Sequence, residues 1–300
     1  MNENSKITST EVAIIKSTSS SDAISNGIEK LGGISAFIDK GDQVFIKIDL
    51  IAPYGFPVNV NFESLRDLVI LCKNEGAKQI FIGGFPENGM KTQSIANILG
   101  IKSYLENIGA ELLFLENQER YPLINLEVKG KTIKFSEVIF NSDKLIIFNQ
   151  VNVDPLFKLT LSLLNSYSLV PFRYQRIEKV IRNGKDYFIL DQYKQDLISN
   201  ILDIYSIKKP DLAINDLFYL LEGAGPFVYK DSNLIPTGLN VIGKDTIAVD
   251  LVTLKLFNLD LSSSDILLEA RNRKIGITDL SNITIIGENI KNLNIKAKFP

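Results

Sequence analysis

Over its first third the chain repeats one pattern: a short apolar run, a helical stretch, then another apolar run. The runs are "EVAIIKS" (11–17), "QVFIKIDLIAP" (43–53), "QIFIGGFPENG" (79–89) and "ELLFLE" (111–116). Between them lie "SDAISNGIEKLGG", "NFESLRDLVILCKNEGA" and "SIANILGIKSYLENIGA". The apolar runs do not alternate with polar residues, as strands buried on both faces do not. Parallel strands need a crossover of a dozen or more residues, and the helical stretches have that length. The pattern therefore predicts an α/β fold, a mostly parallel, Rossmann-like sheet flanked by helices. The first helix has Ser21 or Asp22 as an N-cap and Gly32-Gly33 as a stop.

The rest of the chain extends this plan. "LINLEV", Lys129-Gly130 and "KTIKF" predict an antiparallel hairpin over 121–136. "DKLIIFNQV", "DLAIND", "LNVIGK" and "NITIIG" read as further strands. "LFKLTLSLLNSYS" (156–168), "YKQDLISNILDIYSIKKP", "DTIAVDLVTLKLFN" and "SSSDILLEARNRKIG" read as helices. Residues 155–190 are the least regular part and read as an irregular insertion, either a lid or a surface excursion. No low-complexity linker divides the chain. The expectation is one α/β unit over 1–300, with a division into lobes 1–150 and 151–300 as the alternative.

Composition removes whole classes of chemistry. There is no histidine, so Ser-His-Asp and Cys-His catalysis and His-ligated zinc or iron are excluded. The single cysteine, Cys72, excludes an internal disulfide and a Cys₄ cluster, and it reads as a buried thiol on a helix face. Any metal would be a hard, oxygen-liganded ion such as Mg²⁺ or Mn²⁺. A net charge of −2 argues against nucleic acid, leaving only Arg173, Arg176, Lys179, Arg182 and Lys185, which a solvated basic face explains equally well. No segment approaches the run of about 18 apolar residues that a membrane span needs. A soluble, cytoplasmic protein is expected.

In open parallel sheets, ligands bind beyond the carboxyl ends of the strands. Four such ends carry polar or glycine residues here: "KIDLIAP", "GGFPENG", "FNQVNVD" and "INDLFYLLEGAGP". Period 2 puts Phe45, Lys47 and Asp49 on one face of their strand, either as a structural pair or as a grip on an anion. Gly83-Gly84 permits a sharp turn or a close anion approach. Asp216 ends an apolar run, and Glu222 then meets Gly223, Gly225 and Pro226, a loop suited to fixing a carboxylate against a ligand or metal. Asp245 reads as an N-cap. Asp250 falls inside an apolar helix, where a carboxylate needs a partner or a raised pKa.

These segments, in order, resemble the domain-of-unknown-function family 362. "GIEKLGGISAFIDKGDQVFIKIDL", "NEGAKQIFIGGFPENG", "KPDLAINDLFYLLEGAGP" and "GKDTIAVDLVTLKLF" are similar to that family's successive motifs. The resemblance carries over to Lys47, Asp216, Glu222, Gly223, Gly225, Pro226, Asp245 and Asp250, with Lys158 and Asn165 retained from a third polar stretch. The departures are Ile48-Asp49 in place of Pro-Asn, Gly84 in place of Asp, a missing His, and no ferredoxin-type cysteine cassette, hence no iron–sulfur cluster of its own. The resemblance implies a shared fold more securely than a shared activity.

Two functions are expected from this. In one, a small anionic metabolite binds at the strand ends, with a divalent cation where Asp216 and Glu222 supply ligands. Lys47, Glu222 and Asp250 would then be catalytic, and Asp49, Gly84, Asn165, Asp216, Gly223 and Gly225 would bind the ligand. In the other, a catalytically degenerate scaffold binds a protein partner or a second copy of itself.

Overall fold

The computed structural model describes residues 9–86, 91–171, 187–223 and 232–299. The expected basic face at 173–185, with residues 172–186 of the insertion, and Gly225-Pro226 lie outside these residues.

One eight-stranded sheet organises the fold. Its strands are β1 (Thr10–Lys16), β2 (Gln43–Lys47), β3 (Gln79–Gly83), β4 (Glu111–Leu112), β7 (Lys144–Gln150), β10 (Leu212–Glu222), β11 (Asn233–Gly243) and β12 (Ile283–Gly287). Their order is β12-β1-β11-β10-β7-β2-β3-β4, and every pairing is parallel except those of β11. Strands from both halves of the chain share this sheet, and β1 sits among the last three. The expected hairpin is present as β5 (Leu123–Val128) and β6 (Lys131–Ser136). A second small hairpin joins β8 (Val153–Asp154) to β9 (Lys158–Leu159).

Helices α1 (Ser20–Lys30) and α2 (Phe62–Glu75) cover one face. Ser19, not Ser21 or Asp22, caps α1: its side chain accepts from Asp22 N. Asn61 caps α2, accepting from Glu63 N and Ser64 N, and Gly76 ends it in the left-handed region at φ 95°. Leu65, Leu68, Val69 and Cys72 are its buried stripe. The predicted third helix is two, α3 (Thr92–Leu99) and α4 (Ile101–Asn107), broken at Gly100 (φ 66°). A short helix, α5 (Glu137–Asn141), leads into β7.

The other face is covered by α6 (Ser162–Asn165), α7 (Tyr187–Ile207), α8 (Thr246–Lys255) and α9 (Asp265–Asn272). Asp245 caps α8 as expected, accepting from Ala248 N, and it also accepts from Ile277 N. The helix predicted over 156–168 is not one element. It is β9, four residues of α6, and a 3₁₀ turn over Ser166–Leu169. Leu159, Leu161, Leu163 and Tyr167 are buried by crossing over the sheet, not by an amphipathic stripe.

Two hydrophobic cores result, one on each face. Val44, Ile46, Ile80, Ile82, Ile146, Phe148, Leu212 and Ile214 pack toward α1 and α2. Phe45, Leu145, Ala213 and Val241 pack toward α7, α8 and α9. This period-2 division decides which polar residues can meet at the strand ends.

Candidate functional site

At the carboxyl ends of the central strands, polar residues replace apolar ones and inherit the same division between faces. On the α6–α8 face stand Lys47 from β2, Asn149 from β7 and Asn215 from β10. Asn149 and Asn215 are direct register partners. On the α1–α2 face stands Asp216, in register with Gln150 and Asn240.

Lys47 is completely buried. Its Nζ donates to Asp49 Oδ1 and Asn165 Oδ1. Asp49 is the accessible end of the pair, with its side chain 19% exposed. Ser168 Oγ, from the 3₁₀ turn, donates to Asp49 Oδ1 at 2.7 Å. Phe85 N donates to Ser168 O at 2.9 Å, which pins that turn to the β3 loop. Gly84 lets the loop come this close: a Cβ there would stand 2.5 Å from Ile48 O and 3.3 Å from Lys47 Cε.

From Lys47 the polar contacts run inward. Asn165 Nδ2 donates to Asn149 Oδ1 at 2.8 Å, and Asn149 Nδ2 donates to Asn215 Oδ1 at 2.8 Å. Asn215 Nδ2 donates to Asp250 Oδ1 at 2.9 Å. The backbone N–H groups of Ser162 and Leu163 donate to the two Asp250 oxygens at 3.0 and 2.8 Å. Asp250 thus lies beneath α6 rather than at the rim. Three donors favour its ionised form, but complete burial outweighs them and pushes its pKa up to about 7.

Asp216 is equally buried, on the opposite face. It accepts from Ser20 Oγ at 3.1 Å and from Phe218 N at 2.8 Å. Ser64 Oγ donates to Ser20 Oγ at 2.7 Å, so the starts of α1 and α2 converge here. The Asn240 amide, with its nitrogen toward the carboxylate, donates to Asp216 Oδ1 at 2.8 Å. Burial again dominates and raises the Asp216 pKa to about 6. Beside it, Gln150 Oε1 is buried with no hydrogen-bond partner among the described residues.

Glu222 sits elsewhere. "LFYLLE" continues β10 as a long arm paired with β11, with a register shift between Leu217 and Tyr219. At its tip Glu222 accepts from Asn233 Nδ2 at 3.0 Å and from the Lys298 backbone N–H at 2.6 Å. Gly223, at φ 93°, turns the chain there and donates its N–H to Lys298 O at 3.3 Å. Asp216 and Glu222 are six residues apart on one strand, roughly 20 Å at the usual rise, so they do not share a metal ion. Among the described residues no three acidic or cysteine side chains are grouped to hold one.

The structure therefore brings together Lys47, Asp49, Gly84, Asn165 and Asp250, and leaves Asp216 across the sheet and Glu222 and Gly223 at a hairpin tip. Sequence reasoning missed Asn149 and Asn215. Their signal was available: both end an apolar run, and both share Lys47's parity on parallel strands.

Residues 44–255, which include the carboxyl ends of β2, β3, β7 and β10, match the family model described as a domain of unknown function (DUF362). The chain belongs to the DUF362 family. Two solved structures are similar to this DUF362 protein. One is the lactate racemase apoprotein from Thermoanaerobacterium thermosaccharolyticum, at 12% identity and a TM-score of 0.45, covering 79% of this chain and 56% of that one. The other is a structural-genomics crystal structure of a protein from Thermotoga maritima, at 11% identity and a TM-score of 0.39, covering 77% and 57%. The DUF362 chain spans a little over half the length of each. Neither likeness bears on what it binds. No curated protein matches the sequence. Among the described residues no helix is long and apolar enough to cross a membrane.

Proposed function

We propose that this DUF362 protein binds a small anionic molecule at the carboxyl ends of β2, β3 and β7, with Lys47 as the cation of the site. One observation carries this reading: a wholly buried lysine ends an otherwise apolar parallel strand, and Asp49, an acidic hydrogen-bonding partner of it among the described residues, stands at the solvent side. Taking an ammonium out of water is costly, and apolar residues of similar volume often stabilise a core as well or better. A charge kept there is more readily explained by use than by folding. A ligand carboxylate or phosphate would take the Asp49 position at Lys47, with Ser168 and the Gly84 loop lining the approach.

A specific observation favours the second reading, a partner-binding scaffold without turnover. The polar groups of the centre answer one another, Lys47 through Asp49 and Asn165, and Asp250 through three donors. Melting temperatures measured against a panel of phosphorylated, nucleotide and carboxylate metabolites separate the two, because a ligand that binds only the folded state raises the melting temperature. A rise that disappears in Lys47→Met supports the ligand site. No rise with any compound, or the same rise in Lys47→Met, moves the assignment to the scaffold.

A further inference from the structure

The hydrogen bonds between Lys47 and Asp250 all point the same way. Lys47 can only donate, and it donates to Asn165 Oδ1. Asn165 is left with Nδ2, which donates to Asn149 Oδ1; Asn149 Nδ2 donates to Asn215 Oδ1; Asn215 Nδ2 donates to Asp250. An amide has one donating and one accepting end, so each link fixes the next. The direction is set twice, by an ammonium at one end and a carboxylate at the other. Side bonds agree with it: Ser162 Oγ donates to Asn215 Oδ1 at 2.8 Å, and Asn149 Nδ2 also donates to Thr160 O at 3.0 Å. All five residues of the chain are at most 6% exposed, so water does not compete for these bonds, and aligned bonds in such surroundings reinforce one another.

We infer that Asp250 is a positioning residue for Lys47: through three buried asparagine amides it fixes the orientation of Asn165 and so holds the Lys47 ammonium in place at the rim. This rests on the reading of Lys47 as the cation of the site, and it adds Asn149 and Asn215 to that site. An isosteric amide at position 250 has one accepting oxygen where the carboxylate has two, so one of the donors Ser162 N, Leu163 N and Asn215 Nδ2 is left facing an N–H. The anion that sets the direction from the inner end is then gone, and Asn165 Oδ1 is held toward Lys47 by the ammonium alone.

The test reads Lys47 directly in the ligand-free, full-length protein, by ¹⁵N NMR of the lysine ammonium groups, with Lys47→Met assigning the signal. Asp250→Asn and Asn149→Ala are each expected to shift the Lys47 resonance and to lose its slow proton exchange. Asp216→Asn, an equally buried carboxylate on the other face, is the control expected to leave the Lys47 signal where it was. An unchanged Lys47 signal in folded Asn149→Ala overturns the inference, as does an equal change in Asp216→Asn. If Asp250→Asn does not fold, Asn149→Ala decides alone. A Lys47 signal that responds in a protein showing no ligand-induced melting shift would uphold the relay and remove the ligand reading. The reverse pair of results would do the opposite.

Discussion

The site turns on a few side chains whose surroundings differ sharply from water. Lys47→Met keeps the stem and removes the charge, leaving Asn165 Oδ1 without its lysine donor. A loss of about 1–3 kcal/mol is expected from the orphaned acceptor, measured by denaturant unfolding. Gly84→Ala is expected to cost a similar amount, about 1–3 kcal/mol, because the new methyl meets the Ile48 carbonyl at 2.5 Å and backbone cannot give way as a side chain can. It should also disturb Lys47, whose Cε lies 3.3 Å from that position. At this scale the sequence was partly legible. Lys47, Asp49 and Asp250 each stood out as charges among apolar neighbours. Asn149 and Asn215 did not, since an asparagine at a strand end reads equally as the start of a turn. Glu222 stood out because of the glycines after it, yet its carboxylate holds two chain segments together at a hairpin tip.

Elements were legible where one face or a cap determined them. The parallel strands, α2 with its buried stripe, and α8 with Asp245 at its start all follow from local pattern. Asp245 does more than cap: it also accepts from Ile277 N, joining α8 to the loop before β12. Asp245→Ala is therefore expected to cost about 1–2 kcal/mol, at the upper end for a cap, in equilibrium unfolding. The stretch over 156–168 was illegible for a physical reason. Leu159, Leu161 and Leu163 are buried by tertiary contact with the sheet, α7 and α8, so their spacing carries no helical period. The long β10–β11 arm was foreshortened in the sequence reading because the glycine cluster after Glu222 drew attention to a turn, while the strand runs up to it. Glu222→Ala should loosen the segment around Lys298, seen as faster amide exchange there, with little change in the central strands.

The whole molecule hides several carboxyl groups, and this gives it a distinctive response to pH. Burial raises the pKa of Asp216 to about 6 and of Asp250 to about 7, against an ordinary 3.8. Both therefore hold protons more tightly in the folded chain than in the unfolded one. From about 4 up to those raised values the folded state binds more protons, so stability falls as pH rises, and it levels off above about 7. Melting temperature is expected to climb as pH is lowered from about 8 to about 5, and Asp216→Asn and Asp250→Asn should each flatten that climb. Glu269, whose pKa is lowered by its bond to Arg273, acts in the other direction and only below its ordinary 4.5. A melting temperature that falls steadily across this acid range would show that the buried carboxylates are ionised in the folded state.

The same fold places two opposed polar clusters at one end of its sheet, and the Lys47 cluster has a charged group, Asp49, at its solvent side. The most direct measurement is the Lys47 ammonium resonance followed while inorganic phosphate, and then small mono- and dicarboxylates, are titrated into the protein. A ligand site at Lys47 predicts that at least one of these anions moves this resonance saturably, at concentrations that leave the exposed lysines unmoved. A Lys47 signal that stays fixed with every anion, or that drifts together with all the other lysines as ionic strength rises, would contradict it.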